Sequence, residues 1–260
     1  MARKASNIDT NTNHPVRAKR TLGIHIDEKP IRPVYITKSN AARDKFIKLC
    51  ERVIRTSLEY RKWTKFLKEN MEFNRCAVLP SIVSGNGKKY SIEIHHEPFT
   101  LYDLVDIEIT KREMHDQPLN VNAIAKSVMA LHYDGLVGLI PLSKTQHELI
   151  DVHKVFIPLQ HIYQDYHKYY EEYEDYININ EHIKKKIDVK VALSLKCDAI
   201  QSDAASPEFT YLEVEGFKFP ELSEELRELV SADRSMLARA EKEAEKEAKK
   251  KAKKEGSANS

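Results

Sequence analysis

The sequence predicts an α+β protein in which a small β-hairpin is embedded in a mostly helical chain with extended termini. Only 7 glycines occur in 260 residues and 41% of the residues are hydrophobic, a balance that favours helices around one sizeable core. Short β-prone runs at 74–94 and 138–142 interrupt the helical patterns. Because the formal net charge is only +2, any affinity for nucleic acid has to come from local basic patches.

The N-terminal segments are polar and then amphipathic. Residues 1–38 are basic and proline-containing, which predicts a flexible arm that either lies along phosphates or is simply solvated. Over 39–73, apolar residues recur at helical spacing and predict one amphipathic helix or a broken pair. Its other face carries basic residues, among them Lys62 and Lys65, which would either follow a nucleic-acid backbone or face water.

A β-hairpin is predicted over residues 74–94, because the Gly-Asn-Gly run at 85–87 supplies positive-φ residues between two β-prone runs. His95 and His96 follow at the end of the second strand. Strand alternation sends their side chains to opposite sides unless the strand bends there. One imidazole could therefore bind a metal ion while its neighbour faces a substrate.

Two scaffold helices are predicted between this strand and the next. Thr100 is a suitable N-cap for the first helix. The second helix would follow Asn120 or Asn122 and end at Gly135.

The run from Gly138 to Leu142 predicts a second strand that leads directly into a helix. Ser143 and Gln146 have the spacing of a capping box, so the helix begins just after Ser143. His147 then lies in the first turn, and Asp151 follows four residues later on the same face. This pair can present a nitrogen and an oxygen atom to one cation.

The C-terminal part is predicted to be helical and then charged. Residues 159–220 predict helices and an irregular linker, with a stripe of tyrosines that favours packing over base stacking. Within a helix over 181–195, Lys184, Lys185 and Lys186 are expected on the exposed side. Residues 221–260 predict a charged helix that degenerates into a disordered lysine-rich tail, either solubilising or in weak contact with nucleic acid.

The pattern Glu-Ile-His-His at 93–96, the strand at 138–142 and the helix carrying His147 together resemble the HNH, or ββα-metal, endonucleases. The resemblance covers roughly residues 76–153, within a predicted domain at 74–158. It implies a ββα-metal centre that hydrolyses phosphodiester bonds. Its roles for the matching residues are metal ligands at His95 and His147, the general base at His96, and Asp151 where many members have a further histidine.

The sequence departs from the family pattern in three ways. Gly138 stands where an asparagine usually opens the second strand, and spacing does not choose among its possible substitutes, Asn120, Asn122, His132 and Asp134. The two inserted helices lengthen the connection between the motif halves. Paired cysteines that would hold a structural zinc are missing, since Cys50, Cys76 and Cys197 lie far apart in the sequence.

The function expected from the resemblance is that of a metal-dependent endonuclease acting on nucleic acid, with DNA favoured. A set of two histidines and one aspartate suits one divalent ion, which could be Mg, Mn, Ni or Zn. Lys62, Lys65 and Lys144 are the expected nucleic-acid contacts. The alternatives are an inactive scaffold that binds nucleic acid or a partner, and a purely structural zinc site.

Composition also predicts where the protein acts. No apolar run approaches the length of a membrane span, and the N-terminus lacks the apolar core of a signal peptide. Three scattered cysteines favour a reducing compartment. A soluble cytoplasmic protein is therefore expected. Its high lysine and tyrosine content and its terminal arms suggest a viral origin, such as a phage, or a mobile-element origin, and so a viral protein within a host cell.

Overall fold

The computed structural model describes residues 39–79, 81–85, 91–196, 210–214 and 217–258. The predicted arm at 1–38 lies outside these ranges, as do residues 86–90 of the predicted hairpin and residues 197–209 of the predicted irregular linker.

The described residues form a mostly helical structure with short strands, so the predicted α+β class is confirmed. The helices are α1 (Asn40–Thr56), α2 (Leu58–Asn70), α3 (Leu101–Met114), α4 (Val121–Tyr133), α5 (Lys144–Asp151), α6 (Tyr166–Ile179), α7 (Glu181–Lys196), α8 (Glu224–Ser231) and α9 (Arg234–Ala258). The strands are β1 (Ile92–His96), β2 (Leu139–Ser143), β3 (Tyr211–Val214) and β4 (Phe217–Pro220). They make two antiparallel pairs, β1 with β2 and β3 with β4.

The first two helices are the broken pair that the sequence allowed. Ser57 separates α1 from α2 with an extended backbone, and its hydroxyl accepts a hydrogen bond from the amide of Tyr60 at 3.0 Å. That bond satisfies one of the orphan amides at the start of α2. The apolar faces of both helices are buried in the main core, through Phe46, Ile47, Cys50, Ile54, Trp63 and Leu67.

Helix α3 lies at the centre of the molecule and packs against α1, α4 and α6. It begins at the predicted cap, where Thr100 and Asp103 form a reciprocal capping box. Every residue from Leu101 to Thr110 is buried, which includes three carboxylates. Each of these is paired with a cation, as buried charges require: Asp103 with Lys186, Asp106 with Arg43 and Arg234, and Glu108 with Arg112.

The predicted hairpin over 74–94 is wrong in its pairing. Within the described residues, β1 pairs with β2, in a register that sets His95 opposite Ile140. The described residues of 74–85 pair with one another instead, as Arg75 does with Val83, and the amide of Ala77 donates to the carbonyl of Pro141 at the outer edge of β2. The apolar side chains of β2 are fully buried, so pairing with β2 removes more apolar surface from water than pairing with the more polar 74–85.

The C-terminal helices confirm one prediction and correct another. Tyr166, Tyr169 and Tyr173 are buried along one side of α6, so the tyrosine stripe is a packing face. Lys186 was expected on the exposed side of α7, but it is 3% exposed and its Nζ lies 2.7 Å from Asp103 Oδ1. The buried carboxylate turns this lysine inward. In the described part of the chain, every helix is too short or too polar to cross a bilayer.

Candidate metal centre

The junction of β2 and α5 is built by local interactions. Ser143, the last residue of β2, is also the N-cap of α5, and its hydroxyl accepts from the amide of Gln146 at 3.3 Å. The Gln146 side chain accepts from the thiol of Cys76 at 3.2 Å. Helix α5 therefore starts where the sequence predicts, with His147 in its first turn and Asp151 as its last residue.

Three predicted site residues come together beside this junction. His95 Nδ1 lies 3.4 Å from Asp151 Oδ1, and His147 Nδ1 lies 3.1 Å from Asp151 Oδ2. The imidazole rings of His95 and His147 have centroids 5.1 Å apart. One ligand atom from each of the three residues lies within 4.8 Å of the others. Two nitrogens and one oxygen so arranged could hold one divalent ion, and we call these residues the His-His-Asp cluster.

Glu93 is a fourth neighbour of the cluster that the sequence interpretation missed. Its Oε2 lies 3.1 Å from His147 Nδ1. Strand alternation could have identified Glu93 from the sequence, because it precedes His95 by two residues on β1 and so projects from the same face. Its carboxylate adds an oxygen donor at the edge of the His-His-Asp cluster.

Contacts within the His-His-Asp cluster shift the pKa values of Asp151 and His95 in opposite directions. Although burial opposes ionisation, hydrogen bonds from His147 and His95 hold the pKa of the Asp151 carboxyl well below its usual range. Burial alone would lower the pKa of His95, but hydrogen bonds to Asp151 and Glu97 raise it above its ordinary value. The raised pKa favours the protonated imidazole of His95, so a cation at the cluster would compete with a proton for this residue.

A cavity of about 150 Å³ opens beside His95 and Asp151. His153, Glu97 and Lys190 contribute polar groups to its lining, together with apolar side chains that include Phe156 and Leu222. His153 has a positive φ of 52°, an uncommon conformation for a residue other than glycine. Burial and then the Lys190 charge lower the pKa of His153, which keeps its imidazole neutral near pH 7. No spacing rule in the sequence singled out this residue.

The structure does not bring His96 to the cluster. Because β1 keeps its regular pairing with β2 through His96, the His96 side chain projects from the opposite face, and the residue is 4% exposed. Its Nε2 lies 3.1 Å from Nε2 of His132, and Tyr60 and Trp63 pack around this imidazole pair. Burial, followed by the neighbouring His132, lowers the pKa of His96 well below its ordinary value. His132 is thus a partner of His96 and not a member of the cluster.

The three lysines expected to contact nucleic acid lie on the surface. Lys62 and Lys65 are exposed on α2, and Lys144 is exposed at the start of α5. Two of them lie near a carboxylate on the same helix, with Lys65 Nζ 3.6 Å from Glu69 and Lys144 Nζ 3.6 Å from Glu148. Such exposed pairs are weak, so both lysines remain available to an anion. None of the three lines the cavity.

Only glycine fits at position 138, because two backbone segments approach each other closely there. A Cβ atom on Gly138 would lie 1.9 Å from the carbonyl oxygen of Glu97 and 2.9 Å from Cγ2 of Ile162. The Gly138 carbonyl also accepts from the amide of Glu97 at 3.1 Å. The asparagine usual in the HNH pattern would not fit here, and the possible substitute Asn120 is engaged as the N-cap of α4.

Replacement of Gly138 by alanine is expected to lower the free energy of unfolding by about 3 kcal/mol or more, because the rigid Glu97 backbone must move. Urea denaturation measures the loss. Gly85→Ala is the matched control, since its Cβ would meet open space and only the positive φ of 91° costs about 1–2 kcal/mol. Equal losses in the two variants would contradict the close approach at Gly138.

Comparison with known proteins gives a family but no activity. No curated protein and no solved structure matches the chain. One family model, described as "Bacteriophage G278-like virion protein", matches residues 5–215. That range includes β1, β2, α5 and the whole His-His-Asp cluster. Since the match covers most of the chain, the protein belongs to the bacteriophage G278-like virion protein family.

Proposed function

We propose that this virion protein is a metal-dependent, HNH-like endonuclease that hydrolyses phosphodiester bonds in nucleic acid, with DNA as the favoured substrate. The observation that carries the proposal is the His-His-Asp cluster at the junction of an antiparallel strand pair and a helix. The order strand, strand, helix supports the resemblance to the ββα-metal endonucleases. The cavity next to the cluster supplies room for a reacting group.

The cluster residues would hold one divalent ion, which could be Mg, Mn, Ni or Zn. Such an ion, when bound, polarises a phosphate and stabilises the charge that develops on the leaving oxygen. His95 and His147 offer nitrogen atoms of borderline softness, and Asp151 offers a hard oxygen. The Asp151 side chain is 53% exposed, so the site is open on one side. An open position favours a catalytic site over a closed structural zinc site.

We assign the general base to His153. Its imidazole lines the same cavity as His95 and Asp151, so it can accept a proton from a water molecule in that space. The resemblance assigned this role to His96, whose ring is buried against His132 on the other face of β1. A ring in that position has no direct path to water in the cavity.

Replacement of His153 by alanine is expected to lower the cleavage rate by about 10²- to 10⁴-fold, the usual contribution of a general base. Metal affinity should stay unchanged, which isothermal titration calorimetry can verify. His96→Ala is the comparison variant, and its cleavage rate should fall only as far as its folded fraction does. If His153→Ala cleaves at the wild-type rate and a folded His96→Ala protein does not cleave, His96 and not His153 is the general base.

The activity itself is tested by nicking of supercoiled plasmid with the wild-type protein and Mg²⁺, Mn²⁺, Ni²⁺ or Zn²⁺. Conversion to open circles that a chelator abolishes is the expected result, and labelled RNA tests the second substrate class. Absence of cleavage with every metal would overturn the nuclease proposal.

The second candidate function is that of a non-catalytic scaffold that binds nucleic acid or assembles with other virion components. Two observations favour it: the family is one of virion proteins, and Gly138 replaces the asparagine of the HNH pattern. Binding of DNA in a mobility-shift assay without any metal-dependent nicking would select this function. Bound zinc in the purified protein, with unfolding on chelation, would instead identify a structural metal site.

A further inference from the structure

We propose that the buried ion pair between Glu97 and Lys190 positions the His95 imidazole for metal binding. This inference rests on the proposed metal centre and assigns two residues that neither the sequence pattern nor the family match singles out. Glu97 and Lys190 would act through His95, and neither would contact the metal ion.

The geometry joins a strand end to a distant helix through one carboxylate. Glu97 follows β1 directly, and its Oε2 lies 3.5 Å from His95 Nε2. Its Oε1 lies 2.6 Å from Lys190 Nζ on α7, and both side chains are 6% exposed. Lys190 Nζ also donates to the carbonyl of Pro98 at 2.9 Å. The lysine therefore holds both the Glu97 carboxylate and the backbone that follows it.

This arrangement fixes which nitrogen of His95 faces the cluster. With Glu97 accepting a hydrogen bond from the Nε2–H group, the Nδ1 lone pair is left for a metal ion. Nδ1 is also the nitrogen that lies 3.4 Å from Asp151 Oδ1. Metal-binding histidines commonly donate their other N–H group to a carboxylate, which sets the tautomer and the ring orientation.

A second buried ion pair on helix α7 serves as a control, because it matches the Glu97–Lys190 pair but does not contact the cluster. One turn before Lys190, Lys186 makes a second buried ion pair, with its Nζ 2.7 Å from Asp103 Oδ1. These side chains are 4% and 0% exposed, so the two pairs match in geometry and burial. Asp103 belongs to the capping box of α3, whereas Glu97 contacts a residue of the cluster.

The test measures binding of Mn²⁺ and Zn²⁺ to the full-length protein by isothermal titration calorimetry. The main variant is Glu97→Met combined with Lys190→Met, which removes both charges and leaves no unpaired ion in the interior. Its metal affinity is expected to fall about 10- to 100-fold, the usual effect of losing a partner of a metal-binding histidine. The single variant Glu97→Gln keeps a neutral acceptor and should show a smaller loss.

The control combines Asp103→Asn with Lys186→Met, which removes the matched pair while keeping an acceptor for the helix cap. Its metal affinity should stay within about twofold of wild type, whatever its melting temperature. Wild-type affinity in the Glu97/Lys190 double variant would overturn the positioning role. Complete loss of metal binding in that variant alone would mean that Glu97 is itself a metal ligand, and this result would also overturn the positioning role. Failure of the wild-type protein to bind either metal would overturn the metal centre itself.

Discussion

Replacement of His147 by alanine is expected to abolish metal-dependent cleavage. His147 lies between Asp151 and Glu93, with its Nδ1 3.1 Å from a carboxylate oxygen of each. Its loss removes one of the two nitrogen donors, so polarisation of the phosphate and stabilisation of the leaving oxygen by the ion would be lost together. The expected fall in cleavage rate is at least about 10⁴-fold, the upper range for a general base alone.

Plasmid nicking at saturating Mn²⁺ measures this effect, and calorimetric titration of the metal should show weaker binding in the same variant. His167→Ala is the matched control, because His167 is an exposed histidine on α6 whose ring contacts Tyr166. The control should cleave at the wild-type rate. Undiminished cleavage by a folded His147→Ala protein would remove His147 from the site.

Replacement of Asp106 by alanine is expected to lower the free energy of unfolding by about 3–5 kcal/mol. Asp106 is fully buried in α3, where Arg43 Nε lies 2.6 Å from one carboxylate oxygen and Arg234 Nε lies 2.7 Å from the other. His182 Nε2 is a further neighbour at 3.3 Å. Without the carboxylate, the guanidinium groups of Arg43 and Arg234 lose their shared counter-ion in the interior, and the desolvation penalty remains.

Urea denaturation of Asp106→Ala measures the effect, with Asp188→Ala as the control. Asp188 makes an exposed pair with Lys184 at 2.7 Å, and its loss should cost only about 0.5 kcal/mol. Comparable losses in the two variants would contradict a structural role for the buried carboxylate.

The pH dependence of stability follows from the same residue. Burial opposes ionisation of Asp106, but His182, Arg43 and Arg234 lower its pKa to about 2. Since this folded-state pKa lies below the unfolded value of about 3.9, the stabilisation is complete above about pH 4 and is lost as the pH falls toward 2.

Local rules were enough to predict the helical half of the candidate site. Ser143 fixed the start of α5, and the four-residue spacing then put His147 and Asp151 on one face. Strand alternation likewise separated His95 from His96, whereas the family resemblance required both imidazoles to serve one site. Alternation prevailed, because His96 gains a buried partner in His132 and β1 keeps its regular pairing with β2 through His96.

The remaining features depend on contacts between distant parts of the chain. The pairing of β1 with β2 crosses two inserted helices, and it depends on the apolar surface that β2 buries. Lys190 reaches Glu97 only because α7 packs with that face inward, and periodicity alone does not reveal which lysines of α7 point to the core. The constraint on Gly138 likewise arises from a carbonyl oxygen far away in sequence.

Arg234 attaches the start of the C-terminal helix α9 to partly buried polar groups of the molecule. Its guanidinium bonds to Asp106, Asn40 and Asn180, and Asn40 also donates to Glu241 at 2.6 Å two turns further along. With 25 residues at about 1.5 Å each, the rod is about 38 Å long. Loss of Asp106 would therefore also remove the bond that joins the start of α9 to α3, the helix that follows the histidine-bearing strand.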